Sequence, residues 1–340
     1  MTAQLFRLHG IALALLGAAT SMADAIEWPR ISRPVVTVPG GVIEVGTREE
    51  GTLSLERDGQ RTSLNATWSK GPGAIFRGRA KAPDSVAPGI YALHLESSNG
   101  ESIRNRAVHV LPEFPEEYAV AIVRGALPAP GAAQQSPLPP DLNTRLQEAQ
   151  VHLVLMLGPL TRSGSAEEFQ ALEDQIAGID LPLFLCPDSS DLRGNQFGTR
   201  FGPAIYGASF GRDAFLFLGA GLPAEDPRAR ESLGEAHALR RALRASRWSI
   251  GVAAKFGLDW DLRAQIALFV DDPLNALIAG MTAPGLGATV PWGKTAFVLP
   301  VEAPREPITV ISISPTRIRP QSETEPQEAP APPQEVAPAG

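Results

Sequence analysis

The sequence changes its hydrophobic rhythm at one place, the proline-bounded segment 111–115, and this change limits the possible folds most strongly. From residue 33 to about residue 110, short runs of alternating apolar and polar residues are separated by turn sequences such as Asp58-Gly59 and Asn99-Gly100. Such alternation is typical of strands with one buried face, and these dipeptides favour tight hairpins. Residues 33–112 are therefore predicted to form a small all-β domain, an immunoglobulin-like β-sandwich.

Beyond this segment the pattern becomes strand, helix, strand. Continuous apolar runs such as 152–157 and 181–186 are typical of strands buried on both faces. Ser165-Ala-Glu-Glu168 is a capping box, which predicts a helix from residue 166 to about residue 176. Further strands are predicted at 118–123, 214–218, 248–253, 276–279, 295–299 and 308–313, and further helices at 141–150 and 231–245. The alternation predicts a layered α/β domain over residues 117–314.

The two ends of the chain differ from the domains between them. Arg7 precedes the apolar run 11–19, and small residues follow at 23–25, a pattern typical of a cleaved signal peptide over residues 1–25. A buried N-terminal helix is the alternative. The signal peptide predicts a periplasmic or secreted protein in a bacterial source, with no transmembrane segment in the mature chain. Residues 315–340, rich in Pro, Glu, Gln and Ala, are predicted to form a disordered tail.

The charge balance excludes one class of partner. Acidic residues outnumber basic ones by 37 to 30, which gives a formal net charge of −7. Nucleic-acid binding requires a basic stripe, so a nucleic-acid partner is not expected. The single cysteine, Cys186, lies in an apolar run and can form no intrachain disulfide, so we expect a buried structural thiol.

Three segments of the α/β part carry a family resemblance. They are Gly158-Pro-Leu-Thr-Arg-Ser-Gly-Ser165 with its helix, the strand and turn 181–191, and the hairpin 201–218. In order and spacing these segments resemble the calcineurin-like metallophosphoesterase family. The resemblance implies a layered α/β/β/α sandwich, here preceded by the small β domain. It also implies a site at the carboxyl ends of the strands, where two metals would activate water against a phosphate ester.

At that site the chain departs from the family pattern. The family's metal ligands fall on residues of other types: its first Asp-x-His on Arg124 and Ala126, its bridging Asp on Pro159, its Asn-His pair on Ser189 and Ser190, its next His on Ala254 or Lys255, and its final His-x-His on Met281 and Ala283. Of the family's acidic ligands only Asp191 remains. The five histidines lie elsewhere, at positions 9, 94, 109, 152 and 237. We therefore expect no metal and no cofactor, because these side chains cannot replace the ligands.

The expected function is that of a catalytically inactive, phosphoesterase-like protein, a binding or structural subunit whose partner is another exported or envelope protein. The alternative is a metal-free pocket in which Arg124 and Lys255 hold a small anion or support an altered hydrolase. A second interpretation of Arg124 is that it pairs with Asp188 or Asp191 and fills the pocket. Ser209 lies in a Gly-x-Ser-x-Gly sequence, but an apolar strand follows, so a hairpin is predicted there.

Overall fold

The structure is a computed structural model that describes residues 25–71, 75–124, 141–219, 238–241, 245–256, 274–281, 297–301 and 308–321. Of residues 255, 256, 280, 281, 297–301 and 320 only the backbone is described. The predicted signal peptide, apart from residue 25, and the tail beyond residue 321 lie outside the described residues. No helix in the described part of the chain is both long and apolar enough to cross a membrane.

Nine strands form a β-sandwich at the N-terminal side. They are β1 (Ile26–Trp28), β2 (Val35–Thr37), β3 (Val42–Thr47), β4 (Thr52–Arg57), β5 (Gln60–Leu64), β6 (Ala66–Lys70), β7 (Phe76–Lys81), β8 (Gly89–Ser97) and β9 (Gly100–Val110). One sheet has the order β1-β3-β7-β6 and the other β2-β9-β8-β4-β5. Alternation along each strand directs side chains such as Ile43, Leu55 and Leu93 into one core between the sheets.

The sandwich begins earlier than the sequence predicted. The predicted start was residue 33, but β1 pairs antiparallel with β3, and Ile26 is fully buried. A strand of three residues is too short to show a period of two, and Pro29 and Pro34 separate it from the next strand. The domain boundary therefore lies next to the predicted cleavage site.

The remaining elements whose bounds the structure describes include two further sheets and the helices α1 to α3. They are β10 (Tyr118–Arg124), α1 (Leu142–Glu148), β11 (Leu153–Leu157), α2 (Ala166–Ile176), β12 (Leu183–Cys186), α3 (Gln196–Phe201), β13 (Tyr206–Phe210), β14 (Asp213–Phe217), β15 (Ser249–Phe256), β16 (Ala276–Met281), β17 (Phe297–Val301), β18 (Ile308–Ile313) and β19 (Ile318–Pro320). The front sheet has the order β12-β11-β10-β18-β19, and the back sheet β13-β14-β15-β16-β17. Strands β10 to β12 run parallel to one another, as do β14 to β17.

The front sheet is buried on both faces, as its continuous apolar strands predicted. One set of alternate residues, including Ile122 and Leu155, packs against the back sheet through Phe217 and Ile250. The other set packs against the helices, for example through Phe169 of α2. The described residues thus form three layers, helices, front sheet and back sheet, in which strand outweighs helix. The predicted helix 231–245 lies mostly outside the described residues.

Several predicted boundaries changed. Helix α1 is shorter than predicted, and β17 lies two residues later than the predicted strand. The predicted tail at 315–340 was wrong at its start, because β19 pairs with β18. Ile318 explains this difference: its side chain is 5% exposed and belongs to the core between the two sheets. The predicted hairpin around Ser209 is present, since β13 and β14 pair antiparallel.

A buried ion pair ties the front sheet to the back sheet at the end away from the candidate site. Asp213, 1% exposed, accepts hydrogen bonds from Tyr118 Oη at 2.9 Å and from Arg247 Nε at 2.8 Å. The backbone N–H of Trp248 donates to the same carboxylate at 3.1 Å. Because Tyr118 belongs to β10, Asp213 to β14, and Arg247 and Trp248 directly precede β15, this network fixes the relative position of the three strands.

Candidate functional site

The predicted pocket residues of the first three loops lie at one edge of the front sheet. The parallel register places Arg124 opposite Leu157, and Leu157 opposite Cys186, so three loops leave the sheet side by side. Carboxyl ends of neighbouring parallel strands meet at the same edge, which is where α/β sheets bind ligands. The structure thus brings Arg124, Pro159 and the turn 188–191 to one end of the sheet.

Asp191 is the central group of this edge and is fully buried. Its Oδ1 accepts hydrogen bonds from Leu160 N at 2.9 Å, from Thr161 N at 2.8 Å and from Thr161 Oγ1 at 2.8 Å. Its Oδ2 accepts from Leu160 N at 2.9 Å and from Asp188 N at 2.9 Å. A carboxylate offers about four lone-pair positions, so these five contacts use its whole acceptor capacity.

The backbone around Asp191 leaves little space for another group. A Cβ at Gly158 would lie 2.6 Å from Asp191 Oδ2 and 2.5 Å from Asp188 N, so only glycine fits there. Burial raises the pKa of Asp191, and the N–H donors of Leu160 and Asp188 oppose that rise. Asp191 therefore holds the loop after β11 against the loop after β12, which is a structural task.

The residues of the neighbouring turn 188–191 also hydrogen-bond one another. Asp188 Oδ1 accepts hydrogen bonds from Ser190 N at 2.7 Å and from Ser190 Oγ at 2.5 Å, and from Asp191 N at 3.3 Å. An aspartate that bonds the backbone two residues further on forms an Asx turn. Ser190, which takes a metal-ligand position in the resemblance, is thus engaged within the loop, whereas Ser189 is exposed.

Arg124 has an acidic neighbour in this turn. It is half-buried at the end of β10, and burial lowers its pKa, while the charge of Asp188 acts in the opposite direction. The charge of Asp188 therefore acts on Arg124, as the pairing interpretation requires, and the pairing itself stays a prediction.

The other predicted pocket positions are placed differently. Ala254 is 1% exposed, and its methyl group belongs to the core between the sheets, so it does not line the pocket. Only the backbone of Lys255 and Met281 is described, and Ala126 and Ala283 lie outside the described residues. In the part of the chain that the structure describes, no three His, Cys, Asp or Glu side chains are grouped closely enough to hold a metal ion.

Cys186 lies beneath this edge and is fully buried, which confirms the predicted buried thiol. Its Sγ donates to Val252 O at 3.4 Å in the back sheet. Burial raises the pKa of Cys186 to about 12, so the group is a neutral thiol at physiological pH. A neutral buried thiol is not a nucleophile.

A further feature was missed by the sequence analysis. The guanidinium of Arg33 lies between two aromatic rings, 5.4 Å from the Trp28 centroid and 5.0 Å from the Tyr206 centroid. Tyr206 in turn stacks on Phe217, with ring centroids 4.4 Å apart. The stack runs from the sandwich into the core of the larger part. No local pattern could reveal it, because Arg33 and Tyr206 are far apart in the sequence.

Comparisons with known proteins identify no family. Neither a protein-family model nor a curated protein matches the chain. Among solved structures, one similar chain is SGBP-B of the Bacteroides ovatus mixed-linkage glucan utilization locus, at 16% identity and a TM-score of 0.20. That match covers 30% of this chain and 24% of the other, so this chain spans about a quarter of that protein.

Two further matches cover more of the chain. GAP50, named as the anchor in the inner membrane complex of Plasmodium, is 9% identical over 59% of this chain and 82% of the other, with a TM-score of 0.35. A carbohydrate acetylesterase from Xanthomonas citri is 12% identical over 80% of this chain and 71% of the other, with a TM-score of 0.25. Scores this low carry no inference about function, and the phosphoesterase resemblance stays a prediction.

Proposed function

We propose that this chain is a non-catalytic interaction protein, built as a metal-free relative of the metallophosphoesterases behind an immunoglobulin-like sandwich. One observation carries the proposal. Asp191 is the acidic ligand position that remains in the resemblance, and all acceptor positions of its carboxylate are hydrogen-bonded to loop N–H and hydroxyl groups. A carboxylate that holds a metal must keep lone pairs directed at the ion. Here they hold two loops together.

The surrounding geometry supports the same proposal. Two sheets pack face to face with helices outside one of them, an arrangement compatible with three layers of an α/β/β/α sandwich. Arg124 is a cation placed where the family binds a cation, and its neighbour is Asp188. A hydrolase of this kind needs two metals and an activated water. The side chains on this edge bond to one another and to the loops, which favours a structural role over a catalytic one.

The proposed setting is the periplasm or the outside of the cell, with an exported or envelope protein as partner. This part of the proposal rests on the signal-peptide pattern at residues 1–25. The alternative, anion binding or altered hydrolysis at Arg124, is less well supported. A guanidinium beside Asp188 would have to exchange that carboxylate for the ligand.

A turnover assay tests the proposal. We expect the purified chain to hydrolyse bis(p-nitrophenyl) phosphate no faster than buffer, with or without added Mn²⁺ or Zn²⁺. The contradicting result is turnover that needs a metal, disappears with EDTA and is absent from Asp191→Asn. The loss of activity in the variant would show that the activity does not come from a contaminating enzyme. Asp191→Asn is the suitable variant because its amide keeps one acceptor oxygen for the loop.

A further inference from the structure

A cleft of about 880 Å³ lies between the outer face of the sheet β1-β3-β7-β6 and the strand β13. Among the described residues, its charged lining side chains are those of Arg33, Arg77, Arg79 and Glu44, three arginines against one glutamate. The chain as a whole carries a net charge of −7. A positive cleft on a negative protein attracts acidic ligands at this place in particular.

The strand register places two of these arginines side by side on one wall. Arg77 lies opposite Gly46 and Ser69, and Arg79 lies opposite Glu44 and Thr67. Residues two apart on a strand point to the same face, about 7 Å from each other. Arg79 Nε is 3.7 Å from Glu44 Oε1, but both side chains are about two-thirds exposed, so this pair is weak. The wall can therefore bind two carboxylates spaced along an extended chain.

Arg33 contributes the third guanidinium. Burial lowers its pKa to about 10, and the group that opposes this effect is Tyr206, not a carboxylate. Within the described residues the guanidinium of Arg33 donates one hydrogen bond, from Nη2 to Gly207 O at 3.4 Å, although a guanidinium has five N–H donors. A desolvated cation of this kind gains strongly from an anionic partner.

The floor of the cleft indicates which acidic ligand fits. Gly207, Ala208 and Ser209 of β13 line it, and β13 is the edge strand of its sheet among the described residues. Strand β2 approaches β13 from the sandwich, and Gly207 O already accepts from Arg33, so the small side chains of β13 offer space for a ligand backbone rather than an edge to pair with. The ring of Trp28 lies on Gly46 and faces Arg33, so it is covered and offers no platform for a sugar or a base.

We propose that this cleft binds an extended acidic segment of a partner protein. Its carboxylates contact Arg33, Arg77 and Arg79, and its backbone lies over the small side chains of Ala208 and Ser209. This inference deepens the proposed interaction role and rests on it. Its failure is distinguishable from failure of that role, because metal-dependent turnover is measured independently of peptide binding.

The test measures binding of a fluorescein-labelled octaglutamate peptide to the full chain by fluorescence anisotropy, with octaglutamine as the uncharged control. We expect octaglutamate alone to bind, and binding to weaken as salt is added. Arg77→Gln/Arg79→Gln should weaken binding about tenfold, and Glu44→Gln should strengthen it about threefold, because exposed charges at an interface contribute about this much each. Arg145→Gln/Arg193→Gln, which removes the same charge from exposed sites outside the cleft, should leave binding within about twofold.

Four results would overturn the inference. The first is no binding of octaglutamate, and the second is an equal effect of the cleft and control double variants. The third is tighter, arginine-dependent binding of oligogalacturonate than of octaglutamate, which would make the ligand an acidic glycan. A chain ending at residue 321, which lacks Glu323, Glu325, Glu328 and Glu335, should bind the peptide as the full chain does. Clearly tighter binding would instead identify the chain's own tail as the occupant.

Discussion

At the scale of single residues, the hydrogen bonds of Asp191 indicate whether this edge of the front sheet has a catalytic or a structural role. The residue is fully buried and accepts from the backbone of Leu160, Thr161 and Asp188. In a metal site such a carboxylate would face an ion. Here it satisfies N–H groups that would otherwise be buried without partners, and their loss would cost free energy of folding.

Asp191→Ala is therefore expected to destabilise the protein by about 3–5 kcal/mol, since several buried N–H groups lose their acceptor at once. Urea denaturation followed by circular dichroism measures this change. Ser189→Ala, an exposed change in the same turn, is the matched control and should stay within about 0.5 kcal/mol of wild type. Similar stabilities of the two variants would show that Asp191 does not hold the loops.

Cys186 should be unreactive in the folded protein. Its thiol is fully buried, and its pKa is raised to about 12 from an ordinary 9.0. Because the folded state keeps the proton, this group favours folding below pH 9 and progressively less as the pH rises from 9 toward 12. We expect no reaction with Ellman's reagent at pH 8, and one equivalent of thiol in 8 M urea. Rapid reaction of the native protein would contradict the placement of β12.

At the scale of elements, the sequence predicted the strands better than their assembly. The runs 152–157 and 181–186 specified buried strands because their apolar residues are nearly continuous, and Ser165 and Glu168 form the predicted capping box. Strands β1 and β19 were missed, since three residues carry no period and only pairing partners distant in sequence define them. The sequence also did not predict the hydrogen bonds that occupy Asp191, because their donors are mostly backbone N–H groups, which have no sequence signature.

Strand β9 gives the sandwich a dependence on pH. His109 is 5% exposed, and burial together with the charge of Arg106 lowers its pKa from 6.5 to about 3. Below pH 6.5 His109 binds a proton in the unfolded chain but stays neutral in the folded chain. Its contribution to the free energy of unfolding is therefore full above pH 6.5 and is lost as the pH falls toward 3. We expect the urea concentration at the unfolding midpoint to decrease when the pH is lowered from 7 to 4. The decrease should be smaller in His109→Gln. Equal slopes in the two proteins would contradict this assignment.

At the scale of the whole molecule, the segment between β1 and β2 joins the sandwich to the larger part. Arg30 Nη1 donates to Thr199 O at 2.6 Å and to Arg200 O at 2.8 Å, next to the end of α3. The backbone N–H of Leu185 in β12 donates to Ser32 O at 3.2 Å. Because these contacts and the stacked Arg33 join the two parts, we expect them to unfold as one cooperative unit.

Arg33→Ala should uncouple the two parts, because it removes the guanidinium between Trp28 and Tyr206. We expect the single calorimetric unfolding transition of the wild type to separate into two. Arg33→Lys, which keeps the charge but loses the planar group, should show an intermediate profile. One unchanged transition in Arg33→Ala would show that the stack does not couple the domains.

The proposal that residues 117–314 form a scaffold without metals concerns the whole molecule as well. Metal stoichiometry, measured by inductively coupled plasma mass spectrometry on protein purified without chelators and dialysed against Mn²⁺ and Zn²⁺, tests it most directly. The prediction is fewer than about 0.2 equivalents of any transition metal per chain, since a two-metal site needs ligands that these loops do not supply. Two tightly held equivalents, lost together in Asp191→Asn, would contradict it.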